Sequence, residues 1–155
     1  SAAVARLRQL PAVDPARIAV WGEREGGTTA LLAATTTLPV QGILAVDPDL
    51  DPWASFRAAS SEDQAAYVTA AGRDSSAWRL RSPLLAAERI SVPVAIVQSR
   101  EAVFKDPAPA EAFAQKRLAR DLFVETRLSA REPRPLLRND VQRIVLGFLS
   151  RRLGQ

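Results

Sequence analysis

Residues 21–27, WGEREGG, place an arginine between two glutamates at a pair of glycines. An apolar run precedes this segment and an Ala- and Leu-rich run follows it, so we expect a strand, a tight turn and a helix. At a helix N-terminus Arg24 could bind an anion, and Glu23 or Glu25 could act as a general base. The alternative, which we favour, is that these charges compensate one another on a solvated turn.

Three aspartates alternate along the chain after the next apolar run, at Asp47, Asp49 and Asp51. The spacing is similar to that of a calcium-binding loop, but Pro52 replaces the required glycine and Ala58 replaces the bidentate glutamate. We therefore predict no metal site, with a weak magnesium or calcium site as the alternative. The Asp-Pro pairs favour turns, and Asp47 stays a candidate for binding or for use as a base.

Three tryptophans could stack on a ligand. Trp21 ends an apolar run, so we expect it in the core. Trp53 and Trp78 fall in irregular segments that would lie above the ends of the strands, where a cleft would form. We keep both as candidate binding residues, although packing within the domain is the interpretation that we favour.

Histidine and cysteine are both absent from the 155 residues. The chain therefore lacks the commonest general base and the usual ligands of zinc, copper and iron, and we predict no cofactor. Its 21 basic and 17 acidic residues give a net charge of +4, which we attribute to composition and not to nucleic-acid binding. No apolar run reaches the roughly 20 residues that span a membrane, so we predict no membrane partner and take the cytoplasm as the default location.

Strand-like and helix-like segments alternate along the chain. The predicted strands are 17–22, 42–47, 94–98 and 122–128, and the predicted helices are 2–10, 27–36, 62–71, 109–120 and 140–153. Residues 49–56 read as a loop, and Ala112, Phe113 and Leu118 read as the buried face of their helix. The alternation predicts an α/β fold, a three-layer parallel sheet of about four strands flanked by helices. In such sheets ligands bind at the carboxyl ends of the strands.

Three segments resemble one known family. Residues 13–27, VDPARIAVWGEREGG, are similar to the segment around the nucleophile of α/β-hydrolases of the prolyl-oligopeptidase and dienelactone-hydrolase type. Residues 82–104, SPLLAAERISVPVAIVQSREAVF, are similar to the later segment that carries the catalytic acid, and residues 140–153 to the final helix. The resemblance implies the C-terminal half of a hydrolase domain, from its fifth to its eighth strand.

The resemblance also implies that the catalytic triad is lost. The family's serine aligns with Arg24, its acid with Ala102, and its histidine with the neighbourhood of Arg134. A guanidinium stays protonated and an alanine cannot orient a base, so composition excludes a Ser-His-Asp mechanism within this chain. Without a nucleophile to hold in position, we expect the turn at Arg24 to relax.

The family's sheet has further strands beside the one that matches residues 17–22. Residues 1–155 contain no counterpart of those strands, so we expect the strand at 17–22 to lie at an open edge. Such an edge pairs with another chain or is covered. We therefore expect residues 1–155 to be a single domain that belongs to a longer protein or that self-associates, with a protein partner or a second copy at this edge. The predicted function is binding, scaffolding or self-association by a catalytically inactive domain. The alternative is a hydrolase with relocated chemistry that uses Glu23, Glu25 or Asp47 as its base.

Overall fold

A computed structural model of the chain describes residues 2–98, 108–119, 124–128 and 138–153. In these ranges, four parallel strands form one sheet in the order β1-β2-β3-β4. The strands are β1 (Ala19–Glu23), β2 (Gly42–Val46), β3 (Val94–Gln98) and β4 (Val124–Leu128). The helices are α1 (Ala2–Leu7), α2 (Glu25–Ala33), α3 (Pro52–Ala58), α4 (Ser61–Ala71), α5 (Ser75–Leu80), α6 (Pro83–Ala86), a 3-10 helix (Ala87–Arg89), α7 (Ala108–Leu118) and α8 (Arg138–Leu153). The predicted α/β fold with a parallel sheet of about four strands is therefore confirmed.

Helices cover both faces of this sheet, which gives three layers. On one face, Leu31 of α2 and Phe113 of α7 share a buried cluster with Ile43 of β2. On the other face, Phe148 of α8 packs in a second cluster with Leu44, the next residue of the same strand. Because side chains alternate between faces, a strand buried on both sides needs the continuous apolar run that β2 has. No described helix has the length and apolar character needed to cross a membrane.

Helix α3 occupies most of the segment predicted as a loop at 49–56, so that prediction is wrong. The helix begins after Asp51, whose side chain accepts a hydrogen bond from the N–H of Ala54 at 3.2 Å. Pro52 follows at the first helical position, where its missing N–H and restricted φ are favourable. The second Asp-Pro pair, Asp51-Pro52, therefore starts a helix, although the sequence predicts a turn at both pairs.

Trp21 is 47 % exposed, so the prediction that it belongs to the core is wrong. Its strand, β1, lies at the edge of the described sheet and pairs with β2. Trp21 stands beside Leu44 in the register of the two strands, and the buried cluster under α8 contains Leu44 but not Trp21. The indole therefore lies on the surface of the edge strand.

Candidate functional site

The turn between β1 and α2 holds Arg24 with φ 50° and ψ −118°. A residue with a Cβ rarely adopts this conformation, which costs on the order of 1–3 kcal/mol. The prediction that the turn relaxes is therefore wrong. Hydrogen bonds on both sides of Arg24 explain the difference, because its N–H donates to the carbonyl of Val46 at 2.7 Å and its carbonyl accepts from the N–H of Thr28 at 3.0 Å.

Close packing of β1 against α2 also keeps the turn sharp. A Cβ added to Gly22 would lie 2.3 Å from the carbonyl oxygen of Gly26, and one added to Gly27 would lie 3.1 Å from the carbonyl oxygen of Gly22. A Cβ on Gly26 would meet nothing within 4 Å. The strand, turn and helix therefore keep the geometry that presents residue 24 at the carboxyl end of the sheet, as a nucleophile elbow does.

Two clefts open at this end of the sheet. The larger, which we call the elbow cleft, has a volume of about 620 Å³, and Arg24, Glu25, Tyr67 and Trp78 contribute to its lining. The smaller, the α3 cleft, has a volume of about 430 Å³ and includes Ser55 in its lining. The clefts share three residues, Asp49, Asp63 and Tyr67. The structure thus places two connected concave surfaces where ligands bind in parallel sheets.

The structure brings together only some of the predicted binding residues. Arg24, Glu25 and Trp78 line the elbow cleft. Glu23, Asp47 and Trp53 are not among the described residues that line either cleft, and a binding role for these six residues stays a prediction. Ala102 and Arg134 lie outside the described residues.

An aromatic cluster forms the wall between the helices above the sheet. Trp78 is 3 % exposed, stacks on Phe56 with ring centroids 5.3 Å apart, and donates its Nε1–H to the carbonyl of Gly72 at 3.0 Å. Trp53 stacks on the other side of the cluster at 5.5 Å from Phe56, with the guanidinium of Arg57 over its ring. Trp53 therefore takes part in packing, whereas Trp78 combines packing with a cleft surface.

Asp49 is the buried carboxyl group of the site, with 9 % of its surface exposed. Its Oδ1 accepts a hydrogen bond from the Ser55 hydroxyl at 2.9 Å, and its N–H donates to the hydroxyl oxygen of Thr28 at 2.9 Å. The pKa of Asp49 is raised to about 6, chiefly by burial and to a smaller extent by the nearby carboxylates of Asp51 and Glu25, against the lowering effect of the hydrogen bonds from Ser55 and from the backbone of Asp51. Asp49 can therefore exchange a proton close to neutral pH.

Asp49 should make folding depend on pH. A carboxyl group with a folded-state pKa of about 6 and an ordinary pKa of 3.8 binds its proton more tightly in the folded chain. The free energy of unfolding therefore falls as pH rises through this window, by up to about 3 kcal/mol from this group. Asparagine has no proton to lose, so Asp49→Asn should not lose stability as pH rises. At pH 7 its free energy of unfolding should exceed that of the natural chain by about 1–2 kcal/mol, which urea unfolding would show as a higher midpoint.

Urea unfolding at several pH values between 4 and 7 measures this effect. The stability difference between Asp49→Asn and the natural chain should grow as pH rises. Glu62→Gln, on the exposed first turn of α4, is the matched control for the removal of one carboxylate. A stability difference for Asp49→Asn that does not change with pH would contradict a raised pKa.

Sequence reasoning missed Asp49, Ser55 and Tyr67 as site residues. Asp49 is one of the three alternating aspartates, but the neighbouring sequence does not indicate that it, and not Asp47 or Asp51, is the buried one. Burial by α3 and α4 makes the difference, and the missed helix α3 also carries Ser55. The one available signal was the cap at Asp51, which places Ser55 one helical turn after the start of α3.

No group of three or more acidic side chains suited to hold a metal ion occurs within the described ranges. The carboxylates of Asp49, Asp51 and Asp63 all line the α3 cleft but are not gathered around one point. The alternating aspartates are therefore used for capping and for the buried loop. Asp51 caps α3, and Asp49 accepts from Ser55.

Solved structures with the same fold are peptidases and esterases. A puromycin-hydrolysing peptidase from Mycobacterium tuberculosis superposes with a TM-score of 0.83 at 25 % identity, over 99 % of this chain and 24 % of that chain. An acylaminoacyl peptidase from Pyrococcus horikoshii gives 0.81 at 18 % identity, over 97 % and 26 %. The acetyl xylan esterase from Paenibacillus sp. R4 gives 0.75 at 20 % identity, over 98 % and 50 %. No protein-family model and no curated protein matches the chain.

The part of the chain that the structure describes therefore has the α/β-hydrolase fold, with four strands of its parallel sheet. The resemblance to α/β-hydrolases of the prolyl-oligopeptidase and dienelactone-hydrolase type is confirmed by these peptidase and esterase neighbours. The chain spans about a quarter of the length of the two peptidases. The strand β1, the sharp turn at Arg24 and the helix α2 have the arrangement of a nucleophile elbow.

Proposed function

We propose that this domain binds a ligand in the elbow cleft and does not hydrolyse it. The observation that carries the proposal is Arg24, because the elbow keeps its sharp backbone conformation while its tip presents a guanidinium. A guanidinium stays protonated and cannot attack a carbonyl carbon. The chain also has no histidine to act as the base. The elbow cleft is present, but the position at the tip of the elbow carries no nucleophile. This combination supports ligand binding rather than hydrolysis as the function of the domain.

The ligand class that fits the cleft is a peptide or aminoacyl compound with a free carboxylate. The neighbours named as peptidases make a peptide-like ligand the first choice. Arg24 is exposed and lines the cleft, and its planar guanidinium suits bidentate pairing with a carboxylate. Tyr67 supplies aromatic surface on the same cleft for an apolar side chain, and the buried Trp78 packs behind it.

Calorimetric titration with short peptides that end in an aromatic residue tests this function. We expect the free acid to bind about tenfold or more tightly than the C-terminal amide, since a charge-assisted pair is lost. Arg24→Ala should abolish the difference. Arg79→Ala, an exposed arginine of α5 outside both clefts, should preserve it. Equal affinities of acid and amide for the natural chain would contradict this ligand class.

A second candidate function is hydrolysis by relocated chemistry at the α3 cleft. The observation that favours it is the buried Asp49, whose Oδ1 accepts a hydrogen bond from the Ser55 hydroxyl, with the two oxygens 2.9 Å apart. As the Ser55 oxygen attacks an ester carbonyl, its proton would pass to Asp49, which returns it to the departing alcohol; water would then release the acyl group. Tyr67 lines the same cleft as Ser55, and its hydroxyl would donate a hydrogen bond to the oxyanion. Burial and the nearby carboxylates raise the pKa of Tyr67 to about 12, so this hydroxyl stays protonated over the pH range of the reaction.

Labelling with a fluorophosphonate, followed by peptide mass mapping, separates the two candidates. A binding domain should give no adduct and no turnover of p-nitrophenyl esters above the buffer rate. An adduct on Ser55 that is absent from Ser55→Ala, with a rate that rises through pH 6, would replace the binding function by the second candidate. An adduct on a hydroxyl near Gly22 or Gly26, such as Thr28, would contradict both.

A further inference from the structure

Thr28, in α2, joins the elbow to the loop that follows β2. Its hydroxyl oxygen accepts a hydrogen bond from the N–H of Asp49 at 2.9 Å. The same hydroxyl lies within donating distance of the carbonyl oxygens of Asp49, at 3.2 Å, and of Arg24, at 3.3 Å. A helical threonine commonly donates to the carbonyl four residues before it, but this one also holds a segment 21 residues away. One side chain therefore contacts the backbone of two residues that line the elbow cleft.

The residue after Asp49 is fixed by contacts that do not involve Thr28. The carbonyl of Leu50 accepts hydrogen bonds from the Ser82 hydroxyl and from the N–H of Leu84, each at 3.0 Å. Leu50 is itself buried, with 2 % of its surface exposed. Removal of the Thr28 hydroxyl would therefore release Asp49 locally and leave the following part of the loop in place.

Arg24 and Asp49 carry groups of opposite charge and line the same cleft. The carboxyl group of Asp49 is directed to α3, where its Oδ1 accepts a hydrogen bond from the Ser55 hydroxyl at 2.9 Å. If this carboxylate reached Arg24, it would pair with the guanidinium and occupy the donors that a ligand carboxylate needs. The position of Asp49 therefore determines how fully Arg24 is available to a ligand.

We propose that Thr28 is a positioning residue for ligand binding, because its hydroxyl holds the Asp49 loop in place and so keeps the guanidinium of Arg24 available to the ligand. This inference rests on the proposed function, since it concerns the carboxylate selectivity of the elbow cleft. Thr28 acts through the backbone of Asp49 and not through a contact of its own with the ligand. Without the hydroxyl, Asp49 forms an internal ion pair with Arg24 that competes with the ligand carboxylate.

Calorimetric titration at pH 7 with acetyl-Ala-Phe, as the free acid and as the C-terminal amide, measures the effect on selectivity. The natural chain should bind the acid about tenfold or more tightly than the amide, and Thr28→Val should reduce this ratio to about twofold or less. Thr28→Ser keeps the hydroxyl, so its ratio should stay within about twofold of the natural value.

Thr35→Val is the matched control for Thr28→Val. Thr35 is also a half-buried threonine, and its hydroxyl donates to the carbonyl of Leu32 at 2.8 Å, but it lines neither cleft. This variant should keep the natural ratio of acid to amide affinity. A Thr28→Val variant that also keeps the full ratio would overturn the positioning role.

Adding Asp49→Asn to Thr28→Val separates an internal ion pair from a general loosening of the elbow. Asparagine carries no charge and cannot form the ion pair with Arg24. The double variant should therefore bind the acid about fivefold or more tightly than the amide. A double variant with no preference for the acid would overturn the proposal, because the loss would then not depend on the Asp49 carboxylate.

Urea unfolding between pH 4 and 7 tests the role of Thr28 without a ligand. Equal binding of acid and amide by the natural chain would contradict the proposed function, and the unfolding measurement would then decide on Thr28 by itself. Asp49 should lose part of its burial in Thr28→Val, while Glu25 and Asp51, whose carboxylates act on it, are unchanged. The stability deficit of Thr28→Val should therefore shrink as pH rises, whereas the effect of Thr35→Val should not depend on pH. A deficit of Thr28→Val that is the same at every pH would overturn the positioning role.

Discussion

Replacing Gly22 with alanine should lower the free energy of unfolding by about 4 kcal/mol or leave the chain unfolded. The new Cβ would lie 2.3 Å from the carbonyl oxygen and 2.4 Å from the carbonyl carbon of Gly26, and 2.6 Å from the backbone nitrogen of Gly27. All three atoms are backbone, so no side-chain rotation relieves the overlap. The strand β1 and the helix α2 would have to separate, which also opens the elbow.

Gly26→Ala is the matched control for this prediction. It changes the same residue type four positions along, in the first turn of α2, where a Cβ meets nothing within 4 Å. Alanine favours helix over glycine, so this variant should be as stable as the natural chain or up to about 1 kcal/mol more stable. Urea unfolding followed by circular dichroism measures both. Equal stability of the two variants would show that β1 and α2 are not in this close contact.

Arg117→Met should also destabilise the chain, by about 3–4 kcal/mol. Arg117 is 0 % exposed, and its guanidinium donates to the carbonyl oxygens of Ala87, Ile90 and Val92. Burial lowers its pKa to about 10, so it still carries a proton at neutral pH. Methionine fills similar space but leaves buried carbonyls without these donors, and the segment from the 3-10 helix to β3 loses its attachment to α7.

The control for Arg117 is its neighbour Lys116, which lies half-buried on the same helix. Like Arg117→Met, Lys116→Met removes one positive charge, but it should change the free energy of unfolding by less than about 0.5 kcal/mol. Arg117→Lys keeps the charge but cannot reach three carbonyls with a planar fork, so we expect it to recover only part of the loss. Full stability in Arg117→Met would mean that the three carbonyls find other donors.

The sheet was accessible from the sequence because its inner strands are continuous apolar runs between turn residues. The predicted strand at 94–98 coincides with β3, and the one at 42–47 differs from β2 by one residue. The helix α3 was missed because it is short and its capping signal at Asp51 also reads as a turn. Local chemistry therefore located the strands with continuous apolar runs and misread a short helix whose start resembles a turn.

The side chains of α7 show where the local pattern stopped being sufficient. Phe113 is buried as predicted, but Leu118 is 61 % exposed and Arg117 occupies the buried position beside it. Helical periodicity predicts that apolar residues are buried and charged residues are exposed. Arg117 is an exception because its guanidinium donates hydrogen bonds to three backbone carbonyls in the segment after α6. The carbonyls come from residues about 25 to 30 positions away, beyond the reach of any sequence window.

The sequence alone determined what chemistry this chain lacks. With no histidine, no cysteine and an arginine at the elbow, a Ser-His-Asp mechanism within the chain is excluded by residue type, which no folding can alter. Only the tertiary structure decided which side chains are placed to act. Burial raises the pKa of Asp49, the edge position in the described sheet exposes Trp21, and packing of Gly22 on α2 keeps Arg24 in its rare conformation. Burial and backbone strain depend on contacts between distant segments, so they arise only when the chain is folded.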